Sequence, residues 1–226
     1  MPILLTALHG GGRGVLSVLG VRGTVAGAAG VAADWRLSVF GLVWVVFLLP
    51  MLIYLLTHPA ILRRRARGGP LAEPEPSQRL IVALLVPCVL ALFAVSVLDT
   101  ERGWSQAPVA VVLLGDLLVA AGLVLLNLVF RANHYAAATV QVEAGQTVSA
   151  RGPYALIRHP MYSAGLLLFI GAPLALGSWW GLVLFPALLA LIILRLLDEE
   201  RYLSAHLPGY TEYCARVTHR LIPFIW

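Results

Sequence analysis

The chain contains no lysine; all 16 of its basic residues are arginine, set against 11 acidic ones. That absence excludes a P-loop, a Schiff-base enzyme and any lysine nucleophile, each of which needs the ammonium group. Charge of either sign is scarce, at 12% of the residues where soluble domains carry about 25%. A soluble globular enzyme, a disordered chain and a nucleic-acid-binding domain are ruled out by that deficit. Cysteine is nearly absent too: Cys88 and Cys214 lie far apart, so neither a disulfide framework nor a cysteine-rich zinc site is available, and no metal site is expected. What is present instead is apolar: 60% of the 226 residues are hydrophobic. The composition is that of an all-α, polytopic helical membrane protein.

Uncharged runs place the spans. Leu37 to Thr57 is 21 residues without a charge, Leu80 to Leu98 is 19, and Ala107 to Phe130 is 24 interrupted only by Asp116. Each matches the roughly 20 helical residues that cross a hydrocarbon core. Pro160 to Leu194 is 35 uncharged residues, too long for one crossing. Its break at Gly177-Ser178-Trp179-Trp180-Gly181 combines helix-breaking glycines with paired tryptophans, which favour the membrane–water boundary. A hairpin of two helices, about 160–176 and 179–197, is predicted there. Five strong transmembrane helices therefore follow a weaker N-terminal one over Val15–Ala33, which holds Arg22 and many glycines.

The arginines set the orientation. Arg63, Arg64, Arg65, Arg67 and Arg79 cluster after the first strong span, whereas the loop from Asp99 to Gln106 carries only Arg102. The positive-inside rule puts 58–79 in the cytoplasm, and then 131–159 and everything after Arg195. The expected location is the cell (inner) membrane, multi-pass, with the polar C-terminal half facing the cytoplasm. Gly68 to Ser77, with three prolines and two glutamates, reads as a flexible connector, and the arginine cluster as a topology and headgroup anchor. Most tyrosines and four of six histidines lie beyond residue 130. The division expected is a transmembrane scaffold over 1–130 and a catalytic subdomain over 131–226, containing the hairpin 160–197 and a cytoplasmic tail.

Three stretches of that second half carry the chemistry. In Arg158-His159-Pro160-Met161-Tyr162, proline keeps His159 extended and itself suits the first helical position. His159 thus sits beside the unpaired amides of a helix N-terminus, which favour an anion such as a carboxylate, although capping alone would explain it. In Arg195-Leu196-Leu197-Asp198-Glu199-Glu200-Arg201, Glu199 shares a helical face with Arg195, a pairing that a snorkelling arginine would also make. Asp198 and Arg201 are assigned to the solvated face. In the tail, Pro208-Gly209 marks a turn, and Tyr210 and Tyr213 share one helical face, read in isolation as packing.

The order of these stretches is informative. Gly152-Pro153-Tyr154, then Arg158-His159-Pro160-Met161-Tyr162, an uncharged hairpin, Glu199-Glu200, Tyr210 with Tyr213, and Arg220-Leu221-Ile222-Pro223 together resemble the isoprenylcysteine carboxyl methyltransferase family of integral-membrane enzymes. Integral-membrane phospholipid methyltransferases look like more distant relatives. The likeness runs from Val140 to Trp226, and the earlier spans match in hydropathy only. It implies S-adenosylmethionine as cofactor, with S-adenosylhomocysteine as product. Carried over by position, the cofactor is held by Gln146, Thr147, Val148 and Ser149, by Tyr154, by His159, Pro160, Met161 and Tyr162, and by Glu199. The resemblance also implies a catalytic, substrate-binding arginine one turn earlier, Arg195, and places an upstream glutamine at Gln141. Leu207-Pro208-Gly209-Tyr210 departs from the longer Phe-Gly-Glu-Glu-Tyr-like run of relatives. The partners implied are membrane lipids and a lipophilic methyl acceptor, with no obligate protein partner and no nucleic acid.

Such a site needs few catalysts. A sulfonium donor is already activated, and a carboxylate acceptor with a pKa near about 4 is ionised without a base. Alignment is then the main task, worth about 7–11 kcal/mol when geometry is right. Arg195 would fork onto the acceptor carboxylate, Glu199 would bind a cationic or hydroxyl part of the cofactor, and His159 would meet the cofactor carboxylate. Amine acceptors, as in phosphatidylethanolamine methylation, need a base, for which Glu199, Glu200 or His206 is available; a small thiol is a third acceptor class. A transporter would instead use Asp116 and Arg22, but the sequence has no inverted halves. A non-catalytic scaffold is disfavoured by the intact Tyr154, His159, Tyr162, Arg195 and Glu199.

Overall fold

The computed structural model describes residues 34–59, 61–63, 73, 75–136, 139–140, 142–143 and 145–226. The weak first helix over 15–33 with Arg22, the arginines at 64, 65 and 67, most of the proline-rich connector, and Gln141 lie outside the described residues. Among the described residues there are helices and no strand.

Helix α1 (Trp35–Thr57) starts where the Asp34 side chain accepts from the Arg36 amide at 2.9 Å. Its residues are all at least partly exposed, as suits a helix facing lipid. Helix α2 (Pro76–Arg102) opens on a proline at its first turn and is stopped by Gly103, whose φ of 63° lies in the left-handed region. Helix α3 (Val109–Ala132) follows Pro108. Helix α4 (Pro160–Ala175) begins at the expected proline, and a 3-10 turn, Gly181–Leu184, leads into α5 (Phe185–His206). A short α6 (Tyr210–Arg216) closes the chain's helical part.

Four of these helices are long and apolar enough to cross a membrane: α1, α2, α3 and the run from Gly181 through α5. The first arm of the hairpin, expected over about 160–176, is the shorter apolar helix α4, whose 16 residues reach about 24 Å at 1.5 Å per residue. The second arm of the hairpin differs from the predicted 179–197. It starts later, after the 3-10 turn, and remains helical through His206, because Asp198 to Arg201 end the apolar run without breaking the helix.

Helices α3 and α4 meet almost backbone to backbone. A Cβ on Gly171 would lie 2.9 Å from the Gly115 carbonyl oxygen, and one on Gly122 3.0 Å from the Ala164 carbonyl oxygen. Small residues let membrane helices approach this closely, gaining packing where no water is available to drive association.

Both ends of the bundle are tied by polar clasps. At one end, Asp99 accepts from the Ser105 amide (2.7 Å) and from the Ser178 hydroxyl (2.6 Å), while Thr100 donates to the Leu176 carbonyl at 2.6 Å. Trp104, Trp179 and Trp180 are exposed there, as expected of a membrane boundary. At the other end Asp198 accepts from Ser77 (2.7 Å) and Gln78 (2.8 Å), joining α5 to the start of α2. Asp198 is therefore half-buried and engaged rather than on a solvated face, because the extended α5 runs alongside α2.

Candidate active site

The site is built at the end of the bundle where α2 and α4 begin and α3 and α5 finish. His159 precedes α4 outside the helical region that the following proline disfavours, but with φ −124° and ψ 60° it is not the extended residue expected. Its amide donates to the Arg220 carbonyl at 2.9 Å, the Arg158 amide to the His219 carbonyl at 2.9 Å, and Ser163 to the Leu221 carbonyl at 2.6 Å. The Arg158–Tyr162 and Arg220–Pro223 stretches, 60 residues apart in sequence, thus brace one another. Tyr213 adds a third brace, its hydroxyl donating to the Tyr154 carbonyl at 2.7 Å. Tyr210 and Tyr213 share one face, as their spacing predicts, and pack with Leu207 against Val148 and Leu203. Burial pushes both phenols well above their ordinary values.

Glu199 and Glu200, adjacent on α5, enter different networks. Glu200 gathers basic side chains: Arg158 Nε at 3.2 Å, His159 Nε2 at 3.2 Å and Arg220 Nε at 3.0 Å. Glu199 accepts from the Tyr162 hydroxyl at 2.5 Å. That hydroxyl in turn accepts from Arg195 Nε at 3.1 Å. Arg195 meets Glu199 through Tyr162, and it pairs with Glu73, whose Oε2 lies 3.1 Å from Nη2.

Glu73 is the residue that sequence reasoning missed. It sits in the proline-rich connector, yet it is 3% exposed. Its carboxylate also accepts from the Val140 amide at 3.0 and 3.2 Å, so it ties Arg195 to the segment leading from α3. Burial raises its pKa above the ordinary glutamate range, and Arg195 and the Val140 amide oppose that rise.

Beside these networks lies a cavity of about 750 Å³, counting the part open to solvent. Of the expected cofactor residues, Gln146, Thr147, Val148, Ser149, Tyr154, His159, Met161, Tyr162 and Glu199 line it. Pro160 and Arg195 do not, Pro160 being buried at the helix start and Arg195 standing behind Tyr162. The imidazole expected to face a cofactor carboxylate has its Nε2 turned to Glu200. Two polar groups on the wall, Thr139 Oγ1 and Tyr210 Oη, are buried and have no hydrogen-bond partner among the described residues. Orphaned groups of this kind ask for a ligand that can bond them. With Glu199 at one side and Val148, Leu203 and Leu207 at another, the lining fits a molecule that is part cationic, part hydroxylated and part flat and apolar. S-Adenosylmethionine has that make-up. Asp116 is remote from this chemistry: it is buried within α3, and neither carboxylate oxygen has a hydrogen-bond partner among the described residues.

Residues 110–208, from the first turn of α3 to the turn after α5, match the family described as phospholipid methyltransferase. No curated protein matches the chain. The described helices include four long and apolar enough to cross a membrane. Over the matched segment, which is less than half of the chain, the protein is similar to the membrane methyltransferases in which the phospholipid and isoprenylcysteine enzymes are related.

Proposed function

We propose that the protein transfers a methyl group from S-adenosylmethionine to a lipid-like acceptor at the cytoplasmic face of the cell membrane, with 131–226 as the catalytic part and the preceding helices as scaffold. One observation carries this reading: three sequence stretches, 146–149, 154–162 and Glu199, converge on a single cavity that also holds two unpartnered polar groups. The cofactor supplies an activated methyl on a sulfonium. Gln146 to Ser149, Tyr154, His159 to Tyr162 and Glu199 would hold it. Glu199, kept in place by the Tyr162 hydroxyl, presents its carboxylate group to the cavity. Tyr210, Tyr213 and Leu207 exclude water from the same wall.

For the acceptor, carboxyl O-methylation of an isoprenylcysteine-like or other lipidic acid is the reading that the motif order supports, with Arg195 as the catalytic, carboxylate-holding residue. A second reading is favoured by a specific observation. Arg195 is already neutralised by Glu73 and adjoins Glu199, so the cluster is net acidic. Acidic surroundings suit an amine acceptor of the phosphatidylethanolamine kind, whose proton needs a base.

Calorimetric titration with S-adenosylmethionine tests the first statement; absence of binding by the folded protein would overturn it. Methyl-labelled lipid extracts treated with alkali decide the acceptor. A carboxyl methyl ester releases volatile labelled methanol, whereas an N-methyl group stays with the lipid.

A further inference from the structure

Next to the cofactor cavity lies a second, wider groove of about 1,220 Å³, again counting its open part. Asn133, Tyr135, Thr147, Val148 and Ser149 line both, so one wall separates and joins them. The groove has a different electrical character. Its charged side chains are Arg131 and Arg151, with His134 between them, and it has no acidic lining residue. Among the described residues neither arginine makes an ion pair. Arg131 instead lies over the Tyr54 ring of α1, 5.7 Å from its centre, which leaves its charge uncompensated. The neighbouring arginines differ, Arg158 and Arg220 being paired with Glu200, and Arg195 with Glu73.

Depth fixes what such a groove can meet. Arg131 stands in the last turn of α3, a helix apolar enough to span, and so lies at the level of lipid headgroups. One turn deeper, Leu128 lines the same groove and is 48% exposed on the lipid side. An amphiphile lying here would place its chain along α3 past Leu128, its anion between two guanidinium groups, and its remaining headgroup toward the wall shared with the cofactor cavity. Guanidinium forks match phosphate and carboxylate oxygens.

We infer that the groove formed by Arg131, His134 and Arg151 is the seat for the anionic group of a membrane lipid, and that it presents the rest of that headgroup to the methyl-transfer cavity. The second half of the statement rests on the methyltransferase reading; the first half does not.

The test uses the full chain in a neutral detergent, titrated with short-chain phosphatidylglycerol, with short-chain phosphatidylcholine and sodium dodecanoate for comparison, and with glycerol 3-phosphate as the untailed anion. Phosphatidylglycerol should bind in preference to phosphatidylcholine and weaken with added salt. The Arg131→Gln/Arg151→Gln double variant should lose at least about tenfold in its affinity, the equivalent of about 1.4 kcal/mol. Arg201→Gln, an exposed arginine outside the groove, should change nothing, and S-adenosylmethionine affinity should be unaltered in all variants. Should the double variant not fold, a photoactivatable anionic lipid added to the wild type should label peptides covering 128–135 and 147–153. Dodecanoate binding in place of phosphatidylglycerol would make the seat one for carboxylates. Equal binding by the double variant, equal loss in Arg201→Gln, labelling elsewhere, or glycerol 3-phosphate binding as tightly as the lipid would each overturn the inference. Failure of the wild type to bind S-adenosylmethionine while the lipid result stands would overturn the methyltransferase reading instead.

Discussion

Glu73 and Arg195, separated by 122 positions in the chain, form an ion pair at 3.1 Å with both side chains almost wholly out of water. Removing one member of a buried pair strands the other, at a cost of about 3–5 kcal/mol. Glu73→Ala should therefore lower thermal stability sharply, since it frees the Val140 amide as well. Glu73→Gln keeps an acceptor for that amide and should cost less, although it too leaves Arg195 without its counter-charge. The pH dependence separates the two effects. Because burial raises the folded pKa of Glu73 above its unfolded value, its contribution to stability is fully present below the ordinary glutamate range and declines as pH rises through the folded value. Melting curves of wild type and Glu73→Gln, compared across that range, should converge in acid and part toward neutrality; parallel curves would contradict the raised pKa.

Glu199 and Glu200 should separate by function. Glu199→Gln and Tyr162→Phe disturb a cavity wall, each losing a charge-assisted bond of about 1.5–3 kcal/mol, and should weaken S-adenosylmethionine binding roughly tenfold or more. Glu200→Gln weakens three contacts that brace α4 against the tail, and should reduce the melting temperature more than it reduces cofactor affinity in the protein that remains folded. Calorimetry and melting on the same preparations read both quantities.

Arg195 reports the acceptor class. With a carboxylate acceptor, Arg195→Lys should restore little activity, since lysine keeps the charge and loses the fork, and turnover should stay level as pH falls from neutrality until the acceptor acid takes up its proton. With an amine acceptor, turnover should climb with pH and survive Arg195→Lys. Initial rates over a pH series for both proteins decide between them.

Sidedness is checked by cysteine labelling after Cys88 and Cys214 are replaced by serine. Cysteines introduced at exposed Arg63 and Arg201 should react from the cytoplasmic side, and one at Trp104 from the other. Arg63 and Arg201 on opposite sides would overturn the topology.

The helices were legible because uncharged runs, Pro160 and the glycines around Gly177 are local signals. The length of α5 was not. Hydropathy reports where a membrane ends, and Asp198-Glu199-Glu200-Arg201 ends the apolar run while remaining good helix formers. The convergence of Tyr154, Tyr162 and Glu199 on one cavity followed from motif order, whereas the orientation of individual groups did not. Neighbours on a helix point about 100° apart, so no pattern reveals that Glu200, and not Glu199, takes His159. Glu73 gave no signal at all: it lies in a connector without periodicity, and its partner on α5 is 122 positions further along the chain.

The contact of Gly115 with Gly171 has a mechanical consequence. Where two helices touch through their backbones there is no cushion of side chains to slide or repack, so α3 and α4 form a single stiff beam. One end of that beam carries the start of α4 with His159 and the segment hung from the end of α3, which together make most of the cofactor cavity's near wall. Movement at the cavity then falls to the opposite wall, α5 and α6, whose ion pairs and hydrogen bonds to the start of α4 and to the tail can break and re-form. A substitution as small as alanine at Gly171 would wedge the beam apart and tilt the cavity wall it supports, although it lies about three helical turns from the nearest cavity residue.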